Sequence, residues 1–236
     1  MTNKRHQDST ILTTAALLRW TGLAALVGGI IFAGIQPIHP PDFRPSVTTD
    51  AWAIITSLKL AMCFMFLAGI AWISVRQLDK AGWLGLAGFV LFSLSWALQS
   101  GFVFAEVFIL PTLATASPSF VDSFLGIVNG SPGDMNIGAI VPAYMMVGIL
   151  YLLGGLLFGI ATFRAKVLPG TPAALLAITA LLTPAAVLLP HEVQRLAGIP
   201  MGLSLAWLGY ALWSEKRDKD GGRLSPAAQG PVSATQ

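Results

Sequence analysis

Six apolar runs, separated by short polar or proline-rich stretches, organise this chain. They cover residues 15–36, 51–75, 82–110, 137–163, 172–189 and 193–213. Each is long enough to cross the hydrocarbon of a bilayer as a helix, which takes roughly 20 residues. The pattern predicts an all-α, polytopic bundle of six transmembrane helices forming one domain. Polar tails at residues 1–14 and 214–236 are expected to be disordered.

The connections carry their own signals. The first run leaves through GIQPIHPPDFRP, a proline-broken and therefore non-helical exit. Residues 111–136 form the longest connection. There Ser117-Pro118 reads as a helix start, and Phe120, Phe124 and Ile127 recur at helical spacing, predicting a short interfacial helix before the turn cluster NGSPGD. Thr171 and Pro172 open the fifth run as N-cap and first helical residue. Pro190-His191-Glu192 make a corner into the sixth. Gly22, Gly28, Gly29, Ala33 and Gly34 give the first run a small-residue face, and Gly155 and Gly159 give the fourth a close-packing pair.

Composition strengthens the membrane reading. The chain is 55% hydrophobic and 11% charged, against about 25% charged in a soluble domain. Mean hydropathy is +0.72. Six spans account for nearly all 236 residues, leaving no room for a soluble domain of ordinary size. The single cysteine, Cys63, excludes an intrachain disulfide and a cysteine metal cluster. The net charge of +3 is the basic flank of a membrane protein, not a nucleic-acid footprint. With the N-terminus inside, the inner segments hold Lys4, Arg5, Arg19, Arg76, Lys80, Arg164, Lys166, Lys216, Arg217, Lys219 and Arg223. The outer loops hold only Arg44 and Arg195. Both termini are therefore expected in the cytoplasm.

Against this apolar background the polar residues inside the runs stand out. Ser95, Gln99, Phe102 and Glu106 are spaced 4, 3 and 4 apart and share one helix face. An ionisable group at such depth costs a few kcal/mol unless it is paired or wet, so this face is expected to look into the bundle. Lys59, in the second run, can reach upward to pair with Glu106. Tyr144, Gly148, Tyr151 and Gly155 share a face of the fourth run; Gln36, His39 and His191 lie at outer ends, and Trp96 lies near mid-membrane. Pro142, Pro184 and Pro200 fall in outer halves, where they are expected to bend helices and free carbonyls. The expectation is an outward-facing polar vestibule over a regular, dry inner half. Its candidate ligand-binding residues are Glu106, Lys59, Gln99, Tyr144, Tyr151, Trp96, His39 and His191. The bland readings are a structural Lys59–Glu106 ion pair, capping histidines, and polar side chains that only tie helices together.

No zinc-protease, nucleophile-elbow or phosphate-loop motif is present, no Cys–His pair, and no arginine ladder of a voltage sensor. No metal or cofactor is implied. Two halves of three spans would be inverted relative to one another, but nothing in the second mirrors Lys59 or Glu106.

The stretch GGLLFGIATFRAKVLPGTPAALL from Gly154 to Leu176, the IHPP exit at residues 38–41 and the closing LAWLGYALW at residues 205–213 resemble small six-span membrane proteins of bacterial, especially actinobacterial, genomes. The resemblance implies a bacterial cytoplasmic (inner) membrane. It brings no activity and no functional residue.

Together these readings lead to a non-enzymatic protein that binds or passes a small lipophilic or weakly cationic molecule, with Glu106 as counter-charge. The partners expected are membrane lipids, that ligand, and other chains packed on Gly/Ala faces as homo- or hetero-oligomers; nucleic acid is not among them. The rivals are an accessory subunit packed on a partner and an intramembrane enzyme acting on a lipid or isoprenoid through Glu106.

Overall fold

The computed structural model describes residues 14–221 apart from Pro132 and Val187; the rest of both predicted tails lies outside the described residues. Among the described residues the chain is helical with no strand. Helix α1 spans Thr14–Ile35. Turns at Gln36–Ile38 and Arg44–Thr48 carry the proline exit. The long helical stretch Asp50–Phe104 is broken only at Gly82, whose φ of 58° and ψ of −157° lie outside the helical region. Such a conformation is open essentially to glycine alone. It divides the stretch into α2 (50–81) and α3 (83–104). The two fold back on each other as a hairpin, so Phe66 on α2 meets Trp96 on α3 with ring centroids 4.6 Å apart.

A π-helical turn, Ala105–Ile109, follows α3. The chain continues as α4 (Leu110–Ala116) and α5 (Pro118–Asn129). Helices α6 (Ile140–Ala165), α7 (Gly170–Ala186), a short α8 (His191–Leu196) and α9 (Ile199–Gly221) complete it. Four stretches are long and apolar enough to cross a membrane: Ala16–Ile38, Asp50–Ala116, which contains the Gly82 reversal, Ile140–Ala165 and Val193–Ser214. Gly170–Ala186 is a shorter apolar helix. Ile54, Phe64, Met145, Ile149, Leu181 and Leu182 are exposed on their outward faces. This is the surface of a membrane protein, since lipid tails solvate such side chains and water does not.

Helix boundaries differ from the sequence expectation in ways the chemistry explains. Pro142 and Pro200 sit in the first turns of α6 and α9 and do not bend them, because a first turn has no use for the missing N–H. Only Pro184 is interior to its helix. The helix containing Glu106 runs on past residue 110, through the π turn, to Ala116. Helix α7 begins at Gly170, so Thr171 is already inside it, and α9 extends past Trp213 to Gly221. The predicted short helix exists as α5, but its buried face is Val121, Phe124 and Leu125, with Phe120 only packed at the edge.

Six helices close a ring in the order α1, α2, α3, α6, α7, α9, with α9 returning to α1. Small residues set the closest approaches. A Cβ added at Gly154 would collide with the backbone of Phe92, and one at Gly88 with the backbone of Phe158, so α3 and α6 cross in direct backbone contact. Phe66, Phe92, Phe158, Met201, Leu205 and Leu208 fill the middle. A second small core of Val47, Trp52, Leu110, Val121, Phe124 and Leu125 gathers the turns and α5 over the end of the ring that carries Glu106.

Candidate functional site

The site begins with the π turn. In an α-helix the N–H of Leu110 would bond the carbonyl of Glu106; here it bonds Ala105 instead. The next residue, Pro111, has no N–H to offer. The Glu106 carbonyl is thus left without a helical partner, and the indole of Trp52 donates to it at 2.9 Å. This fixes the start of α2 against the end of α3. The Glu106 side chain faces inward, and the residue is 5% exposed.

Lys59 donates to Glu106 Oε2 in an ion pair of two nearly buried side chains. The same ammonium lies 3.2 Å from His39 Nε2. An ammonium only donates, so Nε2 is the accepting nitrogen and the ring proton sits on Nδ1. Nδ1 then donates to the carbonyl of Pro40 at 2.6 Å. Burial first, then the Lys59 ammonium and Arg195, push His39 down to about 4. It is neutral at pH 7, as that tautomer requires.

The proline exit that carries His39 is pinned from two further sides. Arg195, on α8, pairs with Asp42 and donates to the carbonyls of Pro40 at 3.1 Å and His39 at 3.4 Å. Asn129, at the end of α5, donates to the carbonyl of Asp42 at 2.8 Å. The exit therefore lies across the mouth of the ring as a roof.

Beneath it is a cavity of about 290 Å³. Seven of the eight candidate residues meet there: Glu106, Lys59, His39, Gln99, Trp96, Tyr144 and Tyr151 all line it. The eighth, His191, opens α8, and its side chain lies outside the described residues. Of the four residues spaced along α3 and the π turn, Ser95, Gln99 and Glu106 face the cavity. Phe102 turns aside onto Tyr144, at 5.2 Å between centroids, and Phe124. The floor is aromatic. Trp96 stands edge-on to Phe32 at 5.6 Å and to Tyr151 at 5.9 Å. Its Nε1–H is buried without an acceptor among the described residues.

Sequence reasoning left Asp42, Arg195, Asn129 and the Trp52 indole out of the site. The signal was present for two of them. Arg195 is one of only two basic residues assigned to outer loops, and Asp42 is the first charge after an apolar span. The expected dry inner half also holds a buried polar contact, Gln77 Nε2 donating to Thr162 Oγ1 at 2.7 Å.

Charges cancel in pairs at this site: Lys59 with Glu106, Arg195 with Asp42. Among the described residues no group of three or more His, Cys, Asp or Glu side chains is arranged to hold a metal ion. What the lining offers a ligand is apolar surface and uncharged hydrogen-bonding groups. Comparison of the chain with protein-family models, with curated proteins and with solved structures finds no match in any of the three.

Proposed function

We propose that this protein crosses a cytoplasmic membrane six times, with both termini inside, and binds or passes a small lipophilic molecule in the roofed cavity at its outer end. The observation that carries the reading is the cavity itself: aromatic below, polar above, and electrically neutral through two internal ion pairs. Glu106 already has its counter-ion in Lys59, so a cation would have to displace an ammonium held in a nearly buried pair. That favours an uncharged, lipophilic ligand over a weakly cationic one. The reading of six crossings counts α1, α2, α3, α6, α7 and α9, with Gly82 as an inner hairpin apex, and is supported by the four long apolar stretches and the shorter apolar α7. The flanking Arg76, Lys80, Arg164 and Lys166 support inner placement of that end.

The test is native mass spectrometry of gently extracted wild-type protein, followed by thermal-shift titration with uncharged lipophiles. The expected result is a retained adduct or saturable stabilisation. A bare mass together with no stabilisation by any of them would sink the reading. Orientation is tested separately in a Cys63→Ala background: Asn136→Cys should react with a membrane-impermeant maleimide applied from outside, and Asp79→Cys should not.

The enzyme reading keeps one supporting observation, the row His39–Lys59–Glu106. Glu106 in that row is a paired carboxylate, a poor starting point for a general acid.

A further inference from the structure

Two tyrosines and the gap between them define what the cavity would accept. Tyr144 and Tyr151 lie seven residues apart on α6, about 10 Å along the axis at 1.5 Å per residue, and both line the cavity. Between them is Gly148, also in the lining, where an added Cβ would meet nothing within 4 Å. The wall is therefore grooved, with a phenol above and a phenol below. Gln99 lines the facing wall on α3.

The hydrogen-bonding inventory leaves several donors unspent. Three of the site's acceptors are engaged: Glu106 Oε2 and His39 Nε2 by Lys59, and Asp42 Oδ2 by Arg195. Trp96 Nε1–H is a donor with no acceptor among the described residues. No hydrogen bond from a described residue engages the Tyr144 or Tyr151 hydroxyl or the Gln99 amide. The unspent capacity thus includes the Trp96 Nε1–H and groups that can donate, the two tyrosine hydroxyls and the Gln99 amide, and it sits among edge-on rings that leave flat faces for a planar guest. A cavity of about 290 Å³ is at the small end of ligand sites, which run from about 300 Å³ upward. It has room for a ring head and not for a whole lipid.

We infer that the ligand, if the cavity is the lipophile site proposed above, is an uncharged planar carbonyl compound: a quinone-type head of one or two rings, lying over Gly148 and accepting hydrogen bonds from Tyr144, Tyr151 and Gln99. A ring with carbonyls on opposite edges presents an acceptor toward each tyrosine. A hydrocarbon of the same shape leaves those donors unanswered, and a site built to hydrogen-bond its ligand discriminates against an analogue that lacks the partner group.

The probes are 2-methyl-1,4-naphthoquinone and 2-methylnaphthalene, nearly equal in outline and differing in the two carbonyls. Binding of each to the full-length protein is measured by equilibrium dialysis and corrected for partition into empty micelles of the same detergent. Wild type is expected to prefer the quinone at least tenfold. The Tyr144→Phe/Tyr151→Phe double variant, which keeps both rings, is expected to lose most of that preference, with Gln99→Leu reducing it further. Gly148→Leu, whose Cβ would meet nothing within 4 Å and whose side chain would project into the groove, is expected to exclude both probes.

Equal binding of the two probes overturns the carbonyl assignment and leaves the lipophile reading standing. Failure of both to bind wild type counts against the lipophile reading itself. A tenfold preference that survives both tyrosine changes and Gln99→Leu, or quinone binding undisturbed by Gly148→Leu, overturns the placement.

Discussion

The Trp52 indole donates to the Glu106 carbonyl across 54 residues of sequence. Trp52 itself is fully buried. The bond exists because the π turn and Pro111 together strip that carbonyl of its helical partners. Trp52→Phe keeps the ring and removes the donor, leaving a buried carbonyl unsatisfied. It should cost about 1–3 kcal/mol, read as a lowered thermal midpoint. A midpoint unchanged within error would mean that water or a shifted N–H replaces the indole.

Lys59 and Glu106 should behave as a coupled pair. Lys59→Met or Glu106→Gln alone leaves a nearly buried partner without its match, and breaking such a pair costs about 3–5 kcal/mol when the survivor stays charged. The double variant should be milder than the sum of the two. Additive losses would mean that the two groups do not depend on each other. A Glu106→Gln protein that folds normally and loses only ligand binding would shift weight from the structural role to a functional one.

His39 gives a pH signature with a definite sign. Its ordinary value is 6.5, and burial with two nearby cations lowers it to about 4 in the folded protein. Between those values the unfolded chain binds a proton that the folded chain does not. Stability is therefore full above about pH 6.5 and declines as pH falls toward 4, by up to about 3 kcal/mol at 1.36 kcal/mol per pH unit. Asp42 and Glu106 also face this cluster, so the comparison must be internal. His39→Gln, which still offers Lys59 an acceptor, should flatten the decline specifically in this window. If wild type and variant fall in parallel, His39 is not the group responsible.

Two glycines should respond oppositely. Gly154→Ala drives a Cβ into the Phe92 backbone, separating α3 from α6 and opening the cavity wall. Overpacking of this kind costs about 1–3 kcal/mol. Gly101→Ala, on the same α3, meets nothing within 4 Å. It should stabilise by about 0.5–1 kcal/mol through helix propensity. Parallel thermal melts of both variants check the pair.

The all-helical class, and most of the site, were legible because burying a charge in an apolar helix leaves few options. Glu106 must face inward and find a cation, and Lys59 lies inside the neighbouring apolar run. The aromatic face of α6 was legible for the same reason: Tyr144, Gly148 and Tyr151 recur at helical spacing. What the sequence hid was long-range and backbone-made. Nothing local says that Pro111 frees the Glu106 carbonyl, because the consequence appears in a helix that starts near residue 50. The roof was hidden too, since Asp42 and Arg195 each look like ordinary loop charges until the fold sets one against the other. Prolines misled in the opposite direction. A proline near the edge of an apolar run reads equally well as a bend or as a beginning, and Pro142 and Pro200 are beginnings.

The Asp42–Arg195 contact joins residues 153 apart in the chain, and that distance is also an interval of time. During synthesis Asp42 emerges long before the ribosome reaches Arg195, so the carboxylate waits without its guanidinium while α2 to α7 are made. Until then the exit is held by Lys59, through His39, and by Arg44, which pairs with Asp122 on α5 at 3.4 Å. The mouth of the cavity is therefore finished after its floor. A chain stopped after α7 would carry every residue of the aromatic floor and still lack the guanidinium that fastens the roof.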